Sequence, residues 1–560
     1  LLEPGTVIHQ QWYGDILFSV GLHGPVVRAF CHSRKEAAMS TRGSRREFLA
    51  DVGRGMLIAT VGSTAAAELG LASAPAGQEP ERLTFGAIEP LVSLLEETPP
   101  AKLVGVVLDQ LEKKTELRRL VAASALANAR SFGGEDYVGF HTMMAFAPAL
   151  HMSRELPEPQ RPLPAIKVLY RNSNRIHESG AYHHEVLHPV APAALSSGQC
   201  GGVALRDAVR GKDVNAAEKT FAALAARGPE EAFNDLLFAV GDNTEVHRTV
   251  LPYRAWDLMS LIGLEQAHTF LRQSVRYCVK SEREWKHSPQ EDRPRMLLPK
   301  LLDEHHLAGR TPGTKCAEDG WVDALCKTIF EGSPEHAAEA VAAALAEGFC
   351  PDAVGEAITL AANQLVLRDV GRLANQTSAG KPVGSVHGDS IGVHACDSAN
   401  AWRNMARAAN PRNTFACLIL GGYQAAYDRV NRGGDFLHWS PRPLGSDVEP
   451  IKDAQPDKLL GMLEAAIRGG DQAKACAITH RIGELGHSAR PVFDLLLKYA
   501  ISEDGALHAE KFYRTVSEEF AATRPAFRWR QLVALARVTA SEFGRPAPGI
   551  AEARERLKLS

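Results

Sequence analysis

Residues 385–429, SVHGDSIGVHACDSANAWRNMARAANPRNTFACLILGGYQAAYDR, constrain the fold more than any other stretch of the chain. Apolar and small residues recur at helical spacing on both sides of Asn410-Pro411. A proline suits the first turn of a helix and cannot continue the one before it. The stretch therefore predicts a histidine-bearing helix, a short break and a second apolar helix. Three other places carry the same layout, opening at His141, His247 and His508. Each follows a helix pair, a further apolar helix and a turn.

One such unit cannot bury its apolar face alone, so recurrence in this order points to a helical-repeat array in which neighbours pack together. The expected fold is all-α, with four related helical units in two halves. Units 1 and 2 fall in 75–279 and units 3 and 4 in 321–560; the charged, proline-bearing 280–320 reads as a linker. An insertion around Gly371–Val386 lengthens the third unit. Aromatic content of 7%, against abundant alanine and leucine, favours helix over sheet.

A formal charge of -3 over 560 residues gives no bulk electrostatic pull toward nucleic acid or anionic lipid. No window reaches the roughly 18 apolar residues of a membrane span, so no stable membrane insertion is expected. The nine cysteines contain no C-x-x-C pair, which indicates neither a zinc ribbon nor a disulfide framework. Neither a glycine-rich phosphate loop nor a G-x-S-x-G elbow is present. Gly421-Gly422 reads as close helix packing and Gly469-Gly470 as a turn.

Histidine, at 21 residues, is the unusual component. Equivalent positions in stacked units approach a common axis, so the unit histidines are expected to line one interior. Neutral imidazoles suit iron, copper or zinc. The candidate ligands are His141, His247 and His394, with Asp389, Asp397 and Asn400 as residues that orient the rings. His387, two helical turns before His394, reaches the same face if the helix begins early. Trp256, Trp402 and Trp529 read as core, and Arg254 and Arg403 as candidates for a carboxylate substrate.

A second pattern, His184-Glu185-Val186-Leu187-His188, matches H-E-x-x-H. On a helix it places His184 and His188 on one face for zinc, with Glu185 as the catalytic base. Gly180 and Pro189 flank it closely, and Pro189 disfavours helix at His188. Glu218 is the candidate third ligand.

Near the N-terminus, Ser44-Arg45-Arg46-Glu47-Phe48-Leu49 precedes an apolar run near Gly55–Ala67 and an Ala72-Ser73-Ala74 cleavage pattern. This resembles a bacterial twin-arginine (Tat) export signal, with Ala50 at the usual lysine position. The resemblance implies a signal peptide over 39–74, a start at Met39 and an over-extended segment 1–38. It also implies passage of the folded protein through the Tat translocase to the periplasm or beyond, often with its cofactor already loaded. In general character the repeat region resembles the questin-oxidase-like family, all-helical proteins with histidines spread along the chain. That resemblance implies oxidative chemistry; no residue is carried over from it, because no motif aligns.

The leading expectation is an exported metal-dependent enzyme, an oxidoreductase acting on a small molecule at a histidine-lined site. The alternatives are a zinc hydrolase using His184, His188 and Glu185, and a non-catalytic helical scaffold.

Overall fold

Prolines start several of the helices, among them Pro162, Pro229, Pro351, Pro411 and Pro456. At that position the missing N–H costs nothing and the fixed φ is already helical. The computed structural model describes residues 81–559 apart from 197 and 285–291. The segments 1–38 and 39–74 lie outside the described residues. Those described form an all-α fold with no strand, only isolated bridges such as Lys315 to Phe349.

Most of the helices among the described residues can be grouped into four runs of five along the chain; Arg293–Glu304, Gly445–Val448 and Ile550–Arg556 lie outside them. The first comprises Glu89–Glu97, Pro100–Glu112, Leu117–Phe132, Tyr137–Glu155 and Pro162–Ser179. The second comprises Gly201–Arg210, Val214–Ala225, Pro229–Val240, Val246–Ile262 and Ala267–Glu284. The third comprises Asp319–Glu331, Pro334–Ala346, Pro351–Arg368, Ile391–Ala408 and Pro411–Arg432. The fourth comprises Pro456–Arg468, Gln472–Glu484, Arg490–Ser502, His508–Ala522 and Trp529–Glu542. In every run the fourth helix carries the histidine singled out by the sequence. These four are α1 (Tyr137–Glu155), α2 (Val246–Ile262), α3 (Ile391–Ala408) and α4 (His508–Ala522).

The four helices close a ring, α1 on α2, α2 on α3, α3 on α4 and α4 on α1. They run parallel. His141 meets His247, and ten residues further along both helices His151 Nε2 lies 2.9 Å from Asp257 Oδ1. On the other side His394 meets His508, then Asp397 accepts from Thr515 at 2.7 Å, and Arg403 pairs with Glu519 at 2.5 Å. Parallel neighbours need long return connections, and the other helices of each run supply them on the outside of the ring.

Pro80–Ser560 form one compact unit. The two halves expected from the sequence share its core, since α1 packs on α4 and α2 on α3. The stretch 280–320 is more than a linker. It begins inside the helix ending at Glu284 and holds another, Arg293–Glu304, whose Arg295 pairs with buried Glu282 at 2.5 Å. The third-run insertion, residues 369–390, leads directly into α3.

Gly421 and Gly422 are packing positions, as expected. A Cβ on Gly422 would stand 2.7 Å from Val341 Cγ2, and one on Gly421 3.2 Å from Trp402 Cβ. Trp402 is buried and donates to Gln424 Oε1 at 2.7 Å, while Trp256 stacks on Phe233. The cysteines among the described residues are all free thiols. Among those residues no helix is long and apolar enough to cross a membrane.

A pH-dependent element lies away from the ring. His268 stacks on Phe221, and its Nε2 is buried without a partner. Burial, then the Arg272 charge, lowers its pKa to about 4. The folded state thus binds fewer protons than the unfolded state between about pH 6.5 and 4. The stability His268 contributes is complete above about 6.5 and is lost as pH falls through about 4, by about 3 kcal/mol at most. Chemical denaturation at pH 7.5 and pH 4.5 should show a smaller acid loss in His268→Phe than in the parent. Equal losses in both would refute this.

Candidate functional site

Three of the four ring helices are started by a side-chain cap that fixes where the histidine stands. Asp136 accepts from Gly139 N at 2.7 Å and starts α1. Glu245 accepts from His247 N and Arg248 N at 3.0 and 2.9 Å and starts α2. Ser390 Oγ caps α3 through Val393 N. The fourth helix has no side-chain cap; Ala506 and Leu507 before it hold positive φ values of 49° and 68°. Two successive non-glycine residues in the left-handed region are strained, a condition concentrated at functional sites. All four histidines then fall within the first five residues of their helices.

The imidazoles form a closed quadrilateral. Ring centroids are 4.8 Å apart for His141 and His247, 6.0 Å for His247 and His394, 5.2 Å for His394 and His508, and 5.2 Å for His508 and His141. Two Nε2 pairs face each other across it, His141 to His247 at 3.3 Å and His394 to His508 at 3.1 Å. Phe140 lies against His141 and His247, and Tyr137, 51% exposed, covers His141 with its ring 4.4 Å away. Among the described residues no three His, Cys, Asp or Glu donors surround a single point as the side chains stand. The site is built of two facing pairs.

The proton positions follow from the outer partners. His141 Nδ1 lies 2.7 Å from the Tyr137 carbonyl, which can only accept, so Nδ1 carries the proton. His247 Nδ1 donates to Glu245 Oε1 at 2.5 Å, and Tyr277 donates to the other oxygen of that carboxylate at 2.9 Å. Burial favours the neutral form of Glu245, yet His247 and the backbone donors hold its pKa at about 2. With both Nδ1 atoms protonated, two neutral rings would point lone pairs at each other across 3.3 Å. That contact is repulsive unless a cation, either a proton on His247 Nε2 or a metal ion, lies between them.

Burial also keeps the other rings neutral. It drives His141 and His508 well below the ordinary imidazole value, helped by the Lys511 charge, and takes His394 to about 3, helped by His247. The positive ends of four parallel helices act in the same direction. The result is three neutral rings, His141, His394 and His508, each keeping an unprotonated nitrogen before any ligand arrives.

His141, His247 and His394 are therefore brought together, and His508 joins them. The sequence reading has His508 at the head of the fourth helix but omits it from the ligand set; the register of the units was the signal that includes it. The residues expected to orient the rings differ from those observed. Asp389 pairs with Arg372 at 2.6 Å and with Lys381, Asp397 bonds Thr515, and Asn400 donates to Glu519 at 2.9 Å. The Tyr137 carbonyl and Glu245 do the orienting instead. His387 lies in the loop before α3, its Nδ1 3.4 Å from Arg545 Nη2.

The H-E-x-x-H segment lies elsewhere and is not helical: residues 181–190 form a turn followed by irregular chain, and Pro189 disfavours helix at His188. His184 and His188 do not share a helix face. Glu185 pairs with Arg82 at 2.8 Å and Arg130 at 3.4 Å, His188 Nδ1 is 3.2 Å from the Glu81 carbonyl, and Glu218 is held by Arg272 and Arg276 at 2.7 and 3.0 Å. The arrangement a zinc hydrolase needs is not formed there. Arg254 and Arg403 are likewise committed, to Thr515, Asp257 and Glu518 and to Glu519 respectively. Compared with known proteins, the chain matches no family model, no curated protein and no solved structure.

Proposed function

We propose that this protein is a metal-dependent oxidoreductase whose ion is held by His141, His247, His394 and His508 where four related helical units meet. The observation that carries the reading is the closed ring of imidazoles, one from each run of helices, with Nε2 pairs 3.3 and 3.1 Å apart. Two nitrogens bound tetrahedrally at about 2 Å from one ion stand about 3.3 Å apart. Each pair thus has the separation of two ligands of a common ion, and rotation of the second pair about its side-chain torsions supplies the rest. A neutral all-nitrogen set suits copper, iron or zinc. The general resemblance to the questin-oxidase-like family favours the redox-active metals and a small organic substrate reaching the ring beside Tyr137. Metal content of the purified protein and of its histidine variants tests the reading; a metal-free ring at full histidine occupancy would leave a non-catalytic scaffold.

The export signal belongs to the same proposal. Arg45-Arg46 with Phe48-Leu49 supports delivery through the Tat translocase to the periplasm or the exterior, folded and loaded with metal. Arg45→Lys/Arg46→Lys should leave the precursor in the cytoplasm, because the translocase reads the arginine pair. Unchanged secretion of the double variant, followed by immunoblot of cell fractions, would refute the assignment.

A further inference from the structure

Among the described cysteines only Cys200, Cys316 and Cys350 are not buried, and the last two lie side by side. Cys316 belongs to the chain entering the third run, and Cys350 is the residue before helix Pro351–Arg368. The two segments meet in a parallel bridge between Lys315 and Phe349. Lys315 N donates to the Gly348 carbonyl at 2.9 Å, and Cys350 N donates to the Lys315 carbonyl at 3.0 Å. The second bond sets Cys350 against the peptide that joins Lys315 to Cys316. The approach is close, since a Cβ on Gly313 would stand 2.1 Å from the Gly348 oxygen.

The pleat decides which side chains meet. Residues opposite each other across a bridge point to the same side, and the next pair points to the other. Lys315 and Phe349 share one side: Lys315 Nζ stands 3.8 Å from the centre of the Phe349 ring, which also stacks on Trp321. Cys316 and Cys350, one step along, therefore share the opposite side. Paired segments stand about 4.8 Å apart, inside the roughly 4.4–6.8 Å of Cα separation that a disulfide spans. Cys316 is exposed and Cys350 partly so, which leaves the pair open to a small oxidant.

We propose that Cys316 and Cys350 form a reversible disulfide by exchange with a small-molecule or protein disulfide. The exposed Cys316, as thiolate, attacks the oxidant and releases one thiol; the Cys350 thiolate then attacks the Cys316 sulfur and expels the second. The oxidant gains two electrons, and the protons lost by the two cysteines end on its thiols. The new bond fastens together the ends of the helix pair Asp319–Glu331 and Pro334–Ala346, which lies between the cysteines in the chain. Closing such a loop stabilises the folded state chiefly by restricting the unfolded one. The bond depends neither on the metal nor on export, although delivery to an oxidising compartment favours it.

Oxidised glutathione is the probe. The full chain is reduced, freed of reductant, incubated with the probe under native conditions, alkylated, and digested without reduction for mass spectrometry. Both residues should lose their thiols, and one cross-linked peptide pair should join positions 316 and 350 with no glutathione on either. Cys350→Ser should instead keep glutathione on Cys316, because the second attack has no nucleophile. Alkylation of both cysteines after oxidation would overturn the proposal, as would glutathione left on Cys316 of the parent beside a free Cys350. A bond from either residue to Cys200, or to a second chain, would do the same. The parent alone decides these outcomes, and circular dichroism before and after oxidation checks that the thiols react in the folded protein.

Discussion

His508→Ala in the full chain should lose bound metal, with affinity falling at least about a hundredfold, while the helical circular dichroism of the parent is retained. The scale follows from the smaller effect of residues that only orient a ligand, which typically cost ten- to a hundredfold; removing the ligand itself costs no less. The fold should survive, because His508 is one side chain in a core of buried apolar residues from all four runs, and a single substitution there costs about 1–3 kcal/mol. Glu245→Gln should have the smaller effect, weakening binding about tenfold to a hundredfold, since the amide still bonds His247 Nδ1 but no longer supports it with charge. Binding should also release protons, because any proton shared between His141 and His247 must leave the gap that the ion enters. Elemental analysis of the two variants, with His184→Ala as a control, separates the readings. Metal retained in His508→Ala but lost in His184→Ala would revive the hydrolase at 184–188 and end the ring proposal.

The sequence revealed the convergence before it revealed the chemistry around it. The expectation that histidines near the starts of helices in successive stretches would face one interior agrees with the placement of His141, His247 and His394. The same register included His508, and only its position at the very first residue of the helix set it apart from the others. The orienting groups were not legible, because they are local: a carbonyl four residues before His141 and the capping carboxylate two residues before His247. Sequence reasoning looked for them at Asp389, just before α3, and at Asp397 and Asn400 within it, which the structure gives to Arg372, Thr515 and Glu519 respectively. The H-E-x-x-H pattern failed for a reason visible in the sequence, since Pro189 denies its second histidine a helical turn.

Arg403→Met should destabilise the protein by about 3–5 kcal/mol without altering ligand binding at the ring. Arg403 and Glu519 are both buried and pair at 2.5 Å across α3 and α4, and the guanidinium also bonds the Asp352 and Ala522 carbonyls at 3.2 and 3.1 Å. Removing the arginine leaves the buried Glu519 carboxylate with one neutral donor, Asn400 Nδ2. A buried charge deprived of its partner costs about that much, whereas replacing both members by apolar groups is often close to neutral. Arg403→Met/Glu519→Leu should therefore recover most of the loss, keeping a deficit of about 1 kcal/mol because Asn400 loses its acceptor. Denaturant unfolding of the two single variants and the double variant closes a cycle, and a coupling energy near zero would show that the pair is not a structural unit. The contrast with the sequence expectation is direct. An arginine kept for a carboxylate substrate would lose ligand affinity on substitution and leave stability almost unchanged, and the double variant would recover nothing.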